Sequence, residues 1–245
     1  MNKSENYENL SLFQKLNVDL AKIIAETPPD TRLKSEPELA ASLGVSRATL
    51  REAMRSFEGQ GLIRRRQGVG TFVLDQKQNI ESGLEVLESI EVQAARLGLD
   101  VKMGYLEINH LKADGELAEQ LNIKQGSPAI RVSRVIWVAD RPVAYLVDNV
   151  LPDIIDHEQL EKGFTGSVLD LILKRGTPEL SYSKTIVAAY SASASIAKKM
   201  QLQRGDSLLK FDAYLVDKND RIIDYSLSFF VPGFFKFQVI RSIGK

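Results

Sequence analysis

The chain has 245 residues, long enough for two domains of ordinary size, and its 44% hydrophobic and 26% charged residues exclude disordered, collagenous and coiled-coil-only classes. The absence of cysteine removes disulfide frameworks, thiolate zinc sites and cysteine nucleophiles, and two histidines, His110 and His157, make no histidine-rich centre, so neither metal nor cofactor is expected. Lysine plus arginine equals aspartate plus glutamate at 32 each, yet residues 31–74 hold eight cations against four anions, an asymmetry that points to one segment meeting phosphate. No run approaches the roughly eighteen apolar residues of a membrane span and the N-terminus is polar and acidic, so a cytoplasmic protein is expected.

The first predicted helix carries Phe13, Leu16, Leu20 and Ile23 or Ile24 at helical spacing and ends at Pro28-Pro29-Asp30. A second opens at Ser35, where Glu38 completes a capping box; Leu39 and Leu43 form its apolar face and Gly44 turns the chain. Ser46 is placed to cap a third helix, and two helices so close in sequence predict a helix-turn-helix. Leu50, Met54 and Phe57 mark one face of that third helix, while Arg47, Arg51 and Arg55 recur on another. Gly61 stops it. Residues 62–66, a glycine turn at Gln67-Gly68-Val69-Gly70 and residues 71–74 predict a two-stranded wing.

The polar stretch that follows reads as a linker, giving a DNA-binding unit at 7–75, a linker at 76–83 and a second domain at 84–245. Ser82 and Glu85 form a further capping box, predicting a helix with Leu84, Leu87, Ile90, Ala94 and Leu97 that Gly98 closes. Residues 117–152 then align with 196–232, with one added residue in the second hairpin. Gly126 answers Gly205, and Arg141, Tyr145 and Pro152 answer Arg221, Tyr225 and Pro232. A strand precedes each copy, at 101–111 and 180–189, so each unit reads strand, helix, strand, strand. Two such units pool into one antiparallel sheet with helices on a face, an α+β architecture with an internal pseudo-repeat.

A cleft between half-domains suits a small ligand. Polar residues within apolar strands are the candidates: Arg134, Tyr145, Asp148 and Asn149; Ser181, Ser183 and Lys184; Asp224, Tyr225, Ser226 and Ser228. Any one of them alone fits the solvent side of the sheet as well. Arg134 and Lys184 together, near hydroxyls, would suit an anion.

Leu33-Lys34-Ser35-Glu36-Pro37-Glu38-Leu39-Ala40, Leu43-Gly44-Val45-Ser46-Arg47, Leu50-Arg51-Glu52-Ala53 and Gly68-Val69-Gly70-Thr71-Phe72-Val73 resemble the winged helix of GntR-type bacterial transcription regulators. The second half resembles the UTRA effector-binding domain of the HutC subfamily, a fold shared with chorismate lyase, through 117–126, Asp140-Arg141-Pro142-Val143-Ala144, Leu151-Pro152 and Gly205-Asp206-Ser207-Leu208-Leu209. The resemblance implies a homodimer on a near-palindromic double-stranded DNA operator, with a small-molecule effector modulating its grip. It implies base-edge contact by Arg47, Thr49 and Arg51 at the start of the recognition helix, with Glu36 and Ser46 beside them. Ser35, Arg55, Arg65 and Arg66 would meet phosphate, and Gln67 and Gly68 at the wing tip the minor groove.

Departures from the family pattern matter. Pro37 stands where an operator-contacting arginine is usual, Ile136 follows Arg134 where a second arginine alternates, and Pro232-Gly233-Phe234-Phe235-Lys236-Phe237 replaces an arginine-rich closing strand. These changes weigh against a sugar-phosphate effector and towards a more apolar or differently charged one. Two rivals remain: an enzyme of the chorismate-lyase kind, opposed by the lack of any nucleophile, phosphate-loop or zinc motif, and a nucleoid protein without sequence preference.

Overall fold

The computed structural model describes residues 11–59, 61–66, 68–74, 80–138, 140–155, 160, 164 and 166–239. They divide between residues 79 and 80 into two units, with 232–234 grouped with the first.

In the first unit, Ser11 and Gln14 cap helix α1 (Leu12–Glu26) reciprocally: the Gln14 amide donates to Ser11 Oγ at 3.3 Å and the Ser11 amide to Gln14 Oε1 at 2.9 Å. The stripe that packs is Leu16, Leu20 and Ile24; Phe13, expected in it, is 44% exposed. Helix α2 (Glu36–Ser42) starts at the expected capping box, in which the Ser35 amide and hydroxyl both donate to Glu38 Oε2, at 2.9 and 2.7 Å. Gly44, at φ +64°, makes the turn, and the Thr49 amide donates to Ser46 Oγ at 3.1 Å at the head of helix α3 (Arg47–Gly59). Leu39, Leu50, Met54 and Phe57 close a single core with α1. Strands β1 (Ile63–Arg66) and β2 (Gly70–Val73) pair antiparallel as the wing. The sequence did not announce a third extended segment: Leu33 donates to the Thr71 carbonyl at 2.8 Å and Val73 to that of Thr31 at 3.0 Å.

The second unit is built on six antiparallel strands in the order β4-β5-β6-β9-β8-β7: β4 (Val101–Lys112), β5 (Pro128–Val138), β6 (Arg141–Val150), β7 (Leu180–Ser191), β8 (Ser207–Asp217) and β9 (Ile222–Phe230). The order is palindromic in the two copies, and so is the register. Leu111 opposite Ala129 is answered by Tyr190 opposite Leu208, and at the centre Tyr145 faces Phe229 while Asn149 faces Tyr225. A pseudo-dyad therefore passes between Val147 and Leu227.

The helices obey it too. Asp114 caps α5 (Gly115–Leu121) and Ser193 caps α7 (Ala194–Lys199), through the amides of Leu117 and Ile196. Asn122 and Gln201 follow at φ 53° each, and the hairpin residues Asp140 and Asp220 at φ 58° each. The α+β sheet with its internal repeat is thus as expected.

The segment before the sheet is not. Strand β3 (Ile80–Gly83) occupies the end of the stretch read as linker and pairs parallel with β10 (Phe235–Gln238). The helix expected from Leu84 is only α4 (Ile90–Arg96), capped by Ser89, whose Oγ accepts from the Val92 amide at 3.1 Å. The Ser82-Glu85 spacing satisfies a capping pattern, but pairing with a strand far away in sequence takes Ser82 first. Helix α6 (Val168–Arg175) is capped by Ser167, and the Ser89 hydroxyl donates to Asp170 Oδ2 at 2.8 Å, joining α4 to α6.

Successive residues of a strand point to opposite faces, so register sorts the polar candidates. One face carries Arg134, Leu146, Asp148, Asp224, Ser226 and Ser228; the other carries Tyr145, Asn149, Tyr225 and Phe229. Lys184 lies in the row of Tyr214 and Tyr225, on the second face.

Candidate functional site

Two sites emerge, one in each unit. In the first, burial of Leu50, Ala53, Met54 and Phe57 turns the opposite side of α3 outward, exposing Arg47, Arg51 and Arg55. Three guanidinium groups one turn apart form a ridge that matches guanine edges or phosphates. Arg32, Lys34, Arg51 and Arg65 line a groove of about 580 Å³ between the helix-turn-helix and the wing, together with Glu36. Glu36 organises it: Oε2 accepts from Arg51 Nε at 2.7 Å, and Oε1 pairs with Arg65 of the wing.

The remaining interface candidates are distributed around this groove. Ser46 and Thr49 are joined by a 2.8 Å hydroxyl bond at the first turn of α3. The Ser35 hydroxyl donates to Glu38, and those hydrogen bonds hold the Glu38 carboxyl below its usual range. Arg55 lies 3.5 Å from Glu52, and the Arg66 guanidinium lies 5.3 Å from the Phe72 ring centroid. Arg65 is fixed further by its amide, which donates to Glu58 Oε1 of α3 at 3.0 Å. Gly68 is exposed at φ +74°, and Gln67 lies outside the described residues.

The second site is a cavity of about 540 Å³ against the sheet face that carries Arg134. Of the eleven effector candidates, Arg134, Asp148, Ser181, Ser183, Asp224, Ser226 and Ser228 line it. Tyr145, Asn149, Lys184 and Tyr225 do not, because the pleat turns them to the other face. Tyr145 stacks on Phe229, their centroids 6.1 Å apart, and Tyr225 meets Tyr214 at 5.1 Å. Burial pushes the Tyr225 hydroxyl up to about 12.

The charge of the cavity also differs from the expected pairing of Arg134 with Lys184. Arg134 is buried and ion-paired with Asp148. Asp224 is buried beside them with Oδ1 lacking a hydrogen-bond partner, and burial, then the negative charge of Asp148, pushes its carboxyl well above the ordinary range. Glu91 of α4 completes the group. Both its carboxylate oxygens are buried without a partner, and burial raises it against the pull of Arg134. Arg134 Nε is unpartnered as well. Buried polar atoms are normally satisfied, so this convergence makes the cavity the candidate ligand site of the unit. The sequence pattern hides Glu91 because the Ser82-Glu85 spacing puts the start of the expected helix near Leu84, six residues ahead of α4, and masks the Ser89 cap that orients it.

Comparison with known proteins agrees with both halves. The family model "Bacterial regulatory proteins, gntR family" matches residues 13–73, and "UTRA domain" matches 96–236. The chain is 30% identical over 182 residues to the histidine utilization repressor of Pseudomonas aeruginosa, covering 74% of this chain and 71% of that one. It is 28% identical over 184 residues to the HTH-type transcriptional repressor NagR of Bacillus subtilis, covering 75% and 74%. The crystal structure of PhnF from Mycobacterium smegmatis superposes with a TM-score of 0.63 at 20% identity, over 94% of this chain and 100% of that one, a likeness of fold. With an arginine ridge beside a wing and a cavity-bearing duplicated sheet in one polypeptide, the chain belongs to the gntR family of bacterial regulatory proteins, of HutC type, a winged helix-turn-helix followed by a UTRA domain.

Proposed function

We propose that this chain is a cytoplasmic, homodimeric repressor that binds a near-palindromic operator and releases it when a small molecule occupies the UTRA cavity. The observation that carries the reading is α3, which buries Leu50, Met54 and Phe57 and turns Arg47, Arg51 and Arg55 outward beside a basic wing. Several relatives are named repressors, including those of histidine utilization and fructoselysine utilization. A dimer would set two such helices in successive major grooves, with half-sites about ten base pairs apart. Arg47, Thr49 and Arg51 read base edges; Ser35, Arg55, Arg65 and Arg66 anchor phosphates, with Gln67 and Gly68 at the minor groove; Glu36 and Ser46 hold these groups in place. Release follows from linkage: a ligand that favours the DNA-incompetent arrangement shifts the population away from operator binding.

Fluorescence anisotropy tests the reading, with an operator selected from genomic fragments and a scrambled duplex as control. Preference for the operator by a factor of about a thousand or more at physiological salt is expected, reduced about 5- to 150-fold in Arg47→Ala and in Arg51→Ala. A ratio near one, the behaviour of a nucleoid protein, would overturn it.

A further inference from the structure

The cavity of the second unit is acidic. Among the described residues that line it, Glu85, Glu88, Glu91, Asp148 and Asp224 face a single cation, Arg134. Asp148 already engages that cation, which leaves Glu91 and Asp224 with acceptor atoms that are buried and unsatisfied. Asp224 is only 5% exposed. An anionic ligand would meet Arg134 through its unpartnered Nε, since Asp148 already holds Nη1, and would sit among three carboxyl groups. Nor do the carboxylates form a metal cage: among the described residues, no three histidine, cysteine or carboxylate groups converge as metal ligands would. An organic ammonium or amidinium group supplies several N–H donors from one centre, which is what the unsatisfied oxygens need.

Another part of the lining is of a different kind, set off along β9, where Asp224 and Phe230 are six residues apart. Phe211, Phe230 and Phe237 form it and pack on one another, with ring centroids 4.5 to 5.0 Å apart. The site therefore has an acidic end and an aromatic end. Resting on the effector reading above, we propose that the UTRA cavity takes an amine- or amidine-bearing organic cation, its charged head among Glu91, Asp148 and Asp224 and its apolar part against the three phenylalanines.

The test uses the full-length protein and three probes of one shape: 2-phenylethylamine, 2-phenylethanol and 3-phenylpropionate. Isothermal titration is expected to show the amine binding at least about tenfold more tightly than the alcohol or the acid, each tenfold being 1.4 kcal/mol. Glu91→Gln and Asp224→Asn each reduce that preference, and Glu91→Lys turns it towards the acid, with circular dichroism verifying the fold of each variant. Tighter binding of the acid, no binding of the amine at millimolar concentration, or a preference that folded variants leave unchanged would each overturn the proposal. Operator affinity measured with the same probes separates the two readings. An amine that binds with this preference but leaves operator affinity unchanged sustains the cation site and counts against the effector role; an acid that both binds and releases DNA does the reverse.

Discussion

Arg51 donates through Nε to Glu36 Oε2 at 2.7 Å, so the recognition helix and α2 share an ion pair on the surface that would face DNA. Exposed pairs contribute about 0–1 kcal/mol to stability, so the value of this one lies in orientation, the more so because Glu36 also holds Arg65. Glu36→Ala is expected to leave the thermal midpoint nearly unchanged and to lower operator preference about tenfold, within the discrimination of one bidentate arginine. Affinity for scrambled DNA should hold or rise, since an anion has left the interface. Anisotropy on both duplexes decides; equal losses on the two would sink the positioning role.

Arg47 and Arg66 should behave differently. Arg47→Ala is expected to cost about 1–3 kcal/mol on the operator alone. Arg66→Ala should weaken every duplex alike and reduce the slope of log affinity against log salt by about 1. Salt titrations on operator and scrambled DNA distinguish the two.

Gly70 sits at φ +136°, and a Cβ there would lie 2.4 Å from Arg32 Nε, while Gly68 at φ +74° has open space around it. The flexible Arg32 side chain can move aside, but the backbone strain remains. Gly70→Ala is expected to lower stability by about 1–3 kcal/mol and Gly68→Ala by about 1 kcal/mol. Because Arg32, Gly68 and Gly70 all line the groove, both substitutions should also weaken DNA binding. Urea unfolding with anisotropy on the same samples measures both.

Burial holds Asp224 protonated well above the ordinary carboxylate range. A group whose folded pKa is raised stabilises the fold at pH values below its unfolded pKa, about 4, and that contribution is lost as pH climbs through the folded value. Asp224→Asn keeps the shape without the charge. The variant should therefore melt higher than the parent at neutral pH, with the gap closing on acidification, in thermal scans across pH. Glu91 titrates in the same direction, so repeating the comparison in Glu91→Gln isolates Asp224. A gap that widens in acid would contradict the assignment.

The caps Asp114 and Ser193 hold equivalent positions in the two copies. Asp114→Ala and Ser193→Ala are each expected to cost about 0.5–2 kcal/mol, similar to one another, in chemical denaturation.

Local chemistry made most of this legible in advance. The Ser35-Glu38 box, the Gly44 turn, the two faces of α3 and both hairpins follow from spacing that involves near neighbours only. The duplication was visible because glycines at left-handed positions, Gly126 and Gly205, punctuate the two copies alike. What failed was non-local. Period-two alternation tells that Tyr145 and Asp148 point opposite ways but not which of them meets the cavity; that depends on where α4 and α6 settle. The parallel pairing of β3 with β10 joins residues far apart in sequence, and so does the contact of Leu33 with Thr71. Lys184 shows the cost: chosen for its charge, it lies one residue away from Ser183, which does line the site.

The pseudo-dyad bears on how the cavity can read a molecule. Under it Arg134 and Asp148 correspond to Ala213 and Ser228, which also line the cavity but carry no charge. Twin copies that had stayed identical would form a cradle indifferent to which way round its guest lay. By writing an ion pair into one copy and leaving the other blank, divergence after duplication gives the site a head and a tail, and a guest with two unlike ends has a single orientation in which to dock.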